Sequence, residues 1–242
     1  MKLQSSWICK AGGRKVNEDS CVQAEKEDKF CFVIADGLGG HRGGEIASKT
    51  ASEAFVDAFL ARPSVNREVL QDYLEYARSK LQVTEENINK KGSLKTTLVT
   101  LLVNGRKAVW AHIGDSRLYL FREGELIFQT RDHSVPQRLA DSGAISHSEI
   151  RFHEDRNRLI AAFNSTGFSA CIFSDLLKVS GNEVFLLCSD GFWEYVLESE
   201  MERLLVCSED LSAWLGKMEE LILASADAGY DNYTALAVKI FN

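Results

Sequence analysis

The segment CFVIADGLGGHRGG, residues 31–44, joins a strand pattern to a helix pattern and organises the rest of the sequence. A short apolar run rich in Phe, Val and Ile predicts a buried strand over residues 29–36. That strand is predicted to end on Asp36, which has no basic neighbour, and five glycines follow between Gly37 and Gly44. Because glycine permits backbone conformations that other residues avoid, we expect the chain to turn sharply after this carboxylate.

Periodicities on the C-terminal side of this segment predict the elements that follow it. Apolar residues recur every three to four positions over residues 45–61 and 69–88, which predicts two amphipathic helices. Residues 94–130 are predicted to form a four-strand antiparallel meander, in which Asn104-Gly105 gives a strong signal for a hairpin turn. The other predicted elements are a short helix near 135–141, strands that flank a Gly-Asn turn in 178–190, helices over 192–196, 198–206 and 210–226, and a last strand over 233–241.

The order of these elements indicates the fold class. Strands interleaved with a long helix pair predict an α+β fold, in which the strands form two sheets and the helices lie outside them. The chain has 242 residues and only two prolines, so no proline-rich linker divides it. We therefore predict one domain over residues 1–242.

Charge and composition argue against several classes of function. The net charge is -7, from 28 basic and 35 acidic residues, which disfavours nonspecific nucleic-acid binding and gives no polybasic patch for a membrane. No apolar run approaches the roughly 18–20 residues that span a bilayer, and the N-terminus lacks the apolar core of a signal peptide. Cys31 and Cys188 lie in apolar runs and no CxxC pair occurs, so a reduced, cytoplasmic protein is expected.

Acidic residues recur where predicted strands begin or end. A buried carboxylate without a partner is unfavourable, and several that converge repel one another and raise their pKa values. Divalent cations relieve this repulsion, and a set of oxygen ligands selects hard ions such as Mg²⁺ or Mn²⁺. The acidic residues at such positions are Glu18, Asp19, Asp36, Asp115, Asp190 and Asp231.

Two other interpretations fit parts of the same pattern. An Asp-Gly pair at a strand end is most often a simple turn, but two strands here end in the same apolar-Ser/Ala-Asp-Gly pattern. A phosphate-binding loop over 37–44 fits poorly, because no Gly-Lys-Ser/Thr follows and Arg42 occupies the last glycine position of GxGxxG. The absence of HExxH and of Cys/His metal spacing argues against zinc.

Seven motifs follow one another along nearly the whole chain. They are RKVNEDS (14–20), ADGLGGHRGGEIAS (35–48), KTTLV (95–99), AHIGDSRLYLFREGEL (111–126), TRDHS (130–134), LLCSDGFWEYV (186–196) and DNYTALAVKI (231–240). With these motifs the chain resembles the metal-dependent serine/threonine phosphatases of the type-2C family, especially the compact bacterial branch. The resemblance implies a four-layer αββα sandwich, in which two mainly antiparallel sheets are flanked by helix pairs, with a variable flap over about 134–175.

The resemblance also implies a site for two ions, Mn²⁺ or Mg²⁺, in a cleft at one edge of the sandwich. In the family, the aspartate of ADG bridges both ions and the next glycine gives its carbonyl, which correspond to Asp36 and Gly37. The aspartates of the SDG and DN motifs complete one of the two ions. Those residues are Asp190 and Asp231 here.

Four further roles follow from the resemblance. The acidic residue of NED helps to hold the other ion through water, which corresponds to Glu18, with Asp19 close behind it. The aspartate of GDS belongs to a third, weaker ion in bacterial members, which corresponds to Asp115. An arginine a few residues before NED contacts the substrate phosphate, which corresponds to Arg14.

The implied reaction is hydrolysis of phosphoserine and phosphothreonine in proteins. Two bridged cations would lower the pKa of a shared water, so that hydroxide attacks phosphorus in line with the serine or threonine oxygen. The ions and Arg14 would neutralise charge on the phosphoryl oxygens. Leu38 occupies the position of a histidine that some members are thought to use as general acid. Protonation of the leaving group is therefore assigned to water or another group, and His41 to a turn or supporting role.

Alternative functions remain open from the sequence alone. A catalytically silent member would act as a binding or scaffold module, but such members typically lose metal-site aspartates, and all are present here. A phosphatase of small phosphoesters would use the same metal site. The expected partners are phosphorylated proteins and, by family analogy, an opposing serine/threonine kinase. No nucleic acid, no membrane and a monomeric state are expected, and the flap is expected to affect substrate choice.

Overall fold

Two antiparallel β-sheets lie face to face at the centre of the structure, a computed structural model that describes residues 2–39, 43–89, 92–165, 168 and 171–241. The five-stranded sheet has the order β1 (Lys2–Lys10), β12 (Tyr233–Phe241), β11 (Glu183–Cys188), β7 (Arg117–Arg122) and β8 (Glu125–Gln129). The seven-stranded sheet has the order β10 (Leu177–Lys178), β6 (Lys107–Ile113), β5 (Leu98–Asn104), β3 (Lys29–Leu38) and β2 (Asp19–Lys26). Its two further short strands are β4 (Lys95–Thr96), beside β3, and β9 (Ile172–Phe173), beside β6.

Helices cover the outer faces of both sheets. The seven-stranded sheet is covered by α1 (Gly43–Ala61) and α2 (Arg67–Asn87). The five-stranded sheet is covered by α4 (Asp190–Trp193), α5 (Glu198–Val206) and α6 (Leu211–Ser225). The connection between β8 and β9 contains α3 (Val135–Asp141) and a 3-10 helix (His147–Phe152). None of the helices in the described ranges combines the length and the apolar composition that crossing a membrane requires.

Alternation of side chains along the strands separates three apolar cores. Val33 of β3 belongs to the core beneath α1 and α2, whereas its neighbour Ile34 belongs to the core between the sheets, together with Phe185 of β11. Leu186 of β11 points the other way and joins Trp214 of α6 in the third core. Three cores require four layers, so the predicted αββα sandwich is confirmed.

The predicted four-strand meander over 94–130 is wrong. Strands β5 and β6 pair in the seven-stranded sheet, whereas β7 and β8 pair in the five-stranded sheet. The chain crosses between the sheets at Gly114-Asp115-Ser116, where Gly114 has a φ of 102°. Local alternation specifies each hairpin, but it carries no information on which sheet each hairpin joins. Strands β10 and β11, on either side of the Gly-Asn turn, also belong to different sheets.

Two strands differ from the sequence-based expectation in extent. The predicted end of β3 at Asp36 is wrong, because the strand continues through Gly37 and Leu38, which pair with β4. The chain turns instead at Gly39, whose φ is 110°. Strand β1 was not predicted, and it pairs with β12 along its whole length as the edge of the five-stranded sheet.

Candidate metal centre

Four aspartates meet where strands of both sheets begin or end. Asp36 lies near the end of β3, and Asp19, the first residue of β2, is its direct partner in the strand register. Asp115 lies in the crossing between β6 and β7, and Asp190 begins α4 just after β11. Carboxylate oxygens of Asp36, Asp115 and Asp190 lie within 4.8 Å of one another. We call these three residues the acidic cluster.

Burial beside like charges raises the pKa values of these carboxyl groups. Burial, and then the negative charge of Asp190, raises the pKa of Asp36 and of Asp115 well above the usual range. Burial and the charge of Asp231 raise the pKa of Asp190 to about 6. The interaction between the two carboxyl groups raises the pKa of Asp36 further and lowers that of Asp190, as expected for acids forced together.

The glycines that follow Asp36 and Asp190 permit close approach of two backbone segments. A Cβ atom on Gly37 would lie 2.1 Å from the carbonyl oxygen of Gly44, at the start of α1. A Cβ atom on Gly191 would lie 2.0 Å from the carbonyl oxygen of Asn232. Gly37 is therefore needed for packing, and the turn expected after Asp36 occurs at Gly39.

Two threonines of the KTTLV motif hold the backbone of Asp36. The Asp36 N–H donates to Oγ1 of Thr97 at 3.0 Å, and Oγ1 of Thr96 donates to the Asp36 carbonyl at 2.7 Å. Oγ1 of Thr97 also bonds to Oγ of Ser116 at 2.6 Å, which links β3 to the residue after Asp115. Sequence reasoning gave these threonines no role, although the quoted motif contained the signal.

Asp19 and Glu18 are held beside the acidic cluster by polar neighbours. Oγ of Ser189 donates to Asp19 at 2.7 Å, and burial raises the pKa of Asp19 to about 7 despite that bond. The Glu18 N–H donates to Oδ1 of Asn232 at 2.8 Å. Burial, followed by the charge of Asp231, raises the pKa of Glu18. Sequence reasoning missed Ser189 and Asn232, which lie inside the SDG and DN motifs.

Asp231 lies outside the acidic cluster and forms an ion pair with Arg14. Their Oδ2 and Nη2 atoms are 3.1 Å apart, and the two side chains are 44% and 54% exposed. An exposed guanidinium beside the cluster is suited to an incoming phosphate, because its donors match phosphate oxygens. The roles of Arg14 and Asp231 stay predictions. His41 lies outside the described residues.

The ligand atoms offered here fit a hard divalent cation. The acidic cluster contains only carboxylate oxygens, which suit Mg²⁺ or Mn²⁺, and it contains no cysteine or histidine. Asp190, whose pKa is about 6, still carries negative charge near pH 7, which a cation would balance. Arg117, the arginine nearest to Asp115 along the chain, is engaged by Asp132 at 2.7 Å and does not supply that balance. The residues present therefore fit the expected ions.

The predicted flap is attached to the segment that carries Asp190. Nε of Arg156 donates to the Glu194 carboxylate at 3.0 Å, and Arg151 donates to the carbonyl oxygen of Trp193. Burial, and then the charge of Asp190, raises the pKa of Glu194 to about 7. Contacts of the flap therefore reach the acidic cluster through α4 and the residue after it.

Known proteins resemble this chain in fold and in sequence along nearly its whole length. A serine/threonine phosphatase, stp, of Listeria innocua is 32% identical over 233 residues, which cover 93% of this chain and 91% of the relative. The Mycobacterium tuberculosis phosphatase PstP/Ppp superimposes with a TM-score of 0.87 at 28% identity, over 99% of each chain. The catalytic domain of PstP, solved in complex with two manganese ions, gives a TM-score of 0.83 at 28% identity, again over 99% of each chain. The fold and these likenesses define the class, a protein phosphatase.

The family follows from a direct match. Residues 11–225 match the family model described as Protein phosphatase 2C. The chain belongs to the protein phosphatase 2C family, which confirms the resemblance drawn from the seven motifs.

Proposed function

We propose that this phosphatase removes phosphate from phosphoserine and phosphothreonine in proteins, and that the acidic cluster is its metal centre. One observation carries the proposal: both sheets and their crossing contribute carboxylates whose oxygens lie within 4.8 Å of one another. Family membership supports the reaction, as does the likeness to phosphatases named for serine and threonine. The manganese complex of PstP supports Mn²⁺ as a cofactor.

Five residues would hold the ions. Asp36, Asp115 and Asp190 form the centre of the set, Asp231 lies beside them, and Gly37 offers its carbonyl oxygen. The third, weaker ion implied for Asp115 belongs to the same proposal, because its carboxylate lies within 4.8 Å of the other two. When bound, such ions supply Lewis acidity, which makes hydroxide available near neutral pH and offsets charge on the phosphoryl group.

The remaining site residues act through the protein itself. Arg14, about half exposed at the rim, would bind the phosphoryl oxygens and orient phosphorus toward the cluster. Glu18 and Asp19 would accept hydrogen bonds from waters there, and Ser189 fixes the carboxylate of Asp19. Leu38 offers no proton, so the leaving oxygen would be protonated by water or by another group.

The proposal extends to partners and location. Phosphorylated proteins are the substrates, and a serine/threonine kinase with the same targets is the expected opposing enzyme. All six cysteines are free thiols, which supports a reducing, cytoplasmic location. We infer a monomer.

The proposal is tested with a phosphothreonine peptide and a measurement of released inorganic phosphate. Turnover with Mn²⁺ or Mg²⁺ is expected to disappear in EDTA. Asp190→Asn is expected to lower turnover more than roughly 100-fold, because even residues that only support metal ligands cost 10- to 100-fold. The matched control is Asp72→Asn, which removes an exposed carboxylate from α2 and should leave turnover unchanged.

Two outcomes would overturn the proposal. An intact protein that binds Mn²⁺ by calorimetry but releases no phosphate would point to the scaffold alternative. Faster hydrolysis of free metabolite phosphoesters than of phosphopeptides would point to small-molecule substrates.

A further inference from the structure

Strand β8 is the last strand of the five-stranded sheet, and its outer side pairs with no other strand in the described ranges. On the side toward β7, the Thr130 N–H donates to the carbonyl oxygen of Leu118 at 3.0 Å. Neighbouring residues of an antiparallel strand direct their backbone groups to opposite sides, so Gln129 presents its N–H and its carbonyl oxygen outward. We call the outer side of residues 129–131 the β8 edge. Such an edge is a template for another extended chain.

A groove lies on the face of β8 that is directed toward the other sheet, between β8 and the β6–β9 pair. It has a volume of about 490 Å³, and its apolar side chains Phe128, Ile172 and Leu176 are 40%, 48% and 41% exposed. The ring of Phe128 also lies 5.2 Å from that of Trp110. Polar residues, among them Gln129, complete the lining. This mixture suits a peptide, which combines apolar side chains with a polar backbone.

A second cavity lies on the opposite face of β8, beside α5 and the 3-10 helix. It has a volume of about 630 Å³ and contains the apolar side chains Phe152 and Leu197, which are 75% and 45% exposed. Residues 129–131 line both cavities, so the β8 edge runs between them. Phe152 and Ile172 belong to the predicted flap, which therefore contributes to both cavities.

We propose that the β8 edge binds an extended segment of the phosphoprotein substrate, a few residues away from the phosphorylated residue. The inference rests on the proposed function and adds a second point of contact to it. The backbone of the segment would bond to that of Gln129. Because successive side chains of a strand point to opposite faces, two adjacent apolar residues of the segment would enter the two cavities. Strand addition of this kind draws affinity from the main chain and specificity from pockets for alternate side chains.

The position of the β8 edge favours the substrate as its occupant, because the chain leads from there to the acidic cluster. Strand β7 begins two residues after Asp115, and β8 runs antiparallel to it, so β8 is directed back toward the cluster. Beyond β8, the His133 N–H donates to the carbonyl oxygen of Gly114 at 2.9 Å. Gln129 lies opposite Tyr119, four residues after Asp115. At roughly 3.3 Å per residue this is about 13 Å, which four or so extended residues of a peptide would span.

Arg131 gives the β8 edge a charge that complements an acidic segment. Its side chain lines both cavities, is 68% exposed, and donates to Asp141 at 3.2 Å. A guanidinium has five N–H donors, so the others can bond to a carboxylate of the bound segment. The preferred segment therefore combines a pair of apolar residues with an acidic one.

The test measures hydrolysis of synthetic phosphothreonine peptides by the full chain with Mn²⁺. A short core peptide is extended on its N-terminal or its C-terminal side by about five residues that include Val-Leu and Glu. The matched controls carry a Gly-Ser extension of equal length, or Lys in place of Glu. We expect one apolar, acidic extension to raise kcat/KM roughly tenfold over the Gly-Ser extension, through KM rather than kcat, and the Lys version to gain less.

Methylation of single backbone amides in the favoured extension tests strand pairing directly. Only every second amide of an added strand faces β8, so methylation should abolish the gain at alternate positions and be tolerated between them. Phe128→Ala and Phe152→Ala should each reduce the gain at least about threefold and leave turnover of p-nitrophenyl phosphate unchanged. Both side chains are well exposed, so the fold should stay intact. Leu223→Ala, at an exposed position of α6, is the control variant.

Four results would overturn the proposal. They are an equal gain from the Gly-Ser extension, a gain that survives in both phenylalanine variants, uniform tolerance of amide methylation, and a dimer that Phe128→Ala dissociates, which would assign the edge to a second copy of the chain. If p-nitrophenyl phosphate and the core peptide are hydrolysed but no extension helps, the docking site alone is wrong. If no phosphoester is hydrolysed, the proposed function is wrong as well.

Discussion

The acidic cluster and a second buried polar group lie two residues apart along the chain, at Asp115 and Arg117, and they are built in opposite ways. We call the second group the arginine cluster; its members are Arg117, Tyr119, Asp132, Arg151 and Glu198. Arg117 makes two bonds to Asp132, of 2.8 and 2.7 Å, and a third to Tyr119 of 3.1 Å. Glu198 accepts from Arg117, Tyr119 and Arg151, which joins the group to the flap.

The difference lies in the signs of the charges. The arginine cluster combines both signs, so its charges satisfy one another, and the ring of Trp193 covers the Arg117 guanidinium at 3.4 Å. The acidic cluster combines like charges, and protonation is the only relief that its own residues offer. A buried polar group that is complete supports the fold, whereas one that lacks its counter-charge is organised for a ligand.

The largest effect on stability is expected from Asp132→Asn. This change leaves the buried Arg117 without its ion-pair partner and should lower the free energy of unfolding by about 3–5 kcal/mol. The matched change Asp36→Asn should raise the stability of the metal-free protein near pH 7, because an amide is neutral in both states and removes the cost of holding this carboxyl group protonated on folding. Chemical denaturation in EDTA measures both variants. Equal destabilisation by the two changes would contradict the distinction between the clusters.

The next effect, smaller for each proton and each pH unit, is expected from pH in the metal-free protein. The pKa of Asp19 is raised to about 7, and those of Asp36 and Asp115 well above the ordinary 3.8, so the folded state holds protons that the unfolded state has lost. Stability should therefore fall as pH rises from 6.5 to 8.5, by about 1.4 kcal/mol per pH unit for each proton released on unfolding. Burial lowers the pKa of His112 to about 4, so between pH 4 and 6.5 the unfolded state binds a proton that the folded state lacks. This effect makes stability rise with pH, opposite to that of the carboxyl groups, so the range below pH 6.5 is less informative.

Thermal or urea unfolding in EDTA across this pH range measures the effect, and the same series with Mn²⁺ is the control. A flat profile in EDTA would mean that the carboxyl groups are not held protonated by their surroundings. With Mn²⁺ the fall should be reduced, because a cation favours the ionised carboxylates.

The smallest effect on stability is expected from Arg14→Ala. The Arg14–Asp231 pair is exposed to solvent, and such pairs contribute about 0–1 kcal/mol. The free energy of unfolding should therefore change by less than about 1 kcal/mol, whereas KM for a phosphopeptide should rise if Arg14 binds the phosphoryl group. Steady-state kinetics at saturating Mn²⁺ measure KM and kcat separately. A loss of stability as large as that of Asp132→Asn would assign Arg14 a structural role instead.

The sequence predicts the layers of the fold well and their connections poorly. Periodicity over 45–61 and 69–88 predicts the helix pair because each helix buries one face, and this requirement is local. The crossing at Gly114-Asp115-Ser116 depends on which sheet receives the next hairpin, and β6 and β7 are both buried on both faces. Nothing in the alternation distinguishes the two outcomes.

For the site, too, the sequence predicts some residues and misses others. The carboxylates at strand ends predict a meeting of acids, because an unpaired buried charge is rarely retained without a purpose. The residues that hold these aspartates, such as Thr97 and Ser189, are ordinary polar residues, and their role appears only when distant segments of the chain come together. Asp36 and Thr97 are 61 residues apart, and Asp19 and Ser189 are 170 apart.

The three acids of the acidic cluster belong to different parts of the sandwich. Asp36 comes from the seven-stranded sheet, Asp190 follows a strand of the five-stranded sheet, and Asp115 lies in the crossing between them. A ligand that binds all three acids at once closes a chain loop of 154 residues (190 − 36). It restricts the conformations of that loop for as long as it stays bound. The two sheets then separate only after that ligand is released, so the group that we propose as the metal centre would also fasten the two sheets together.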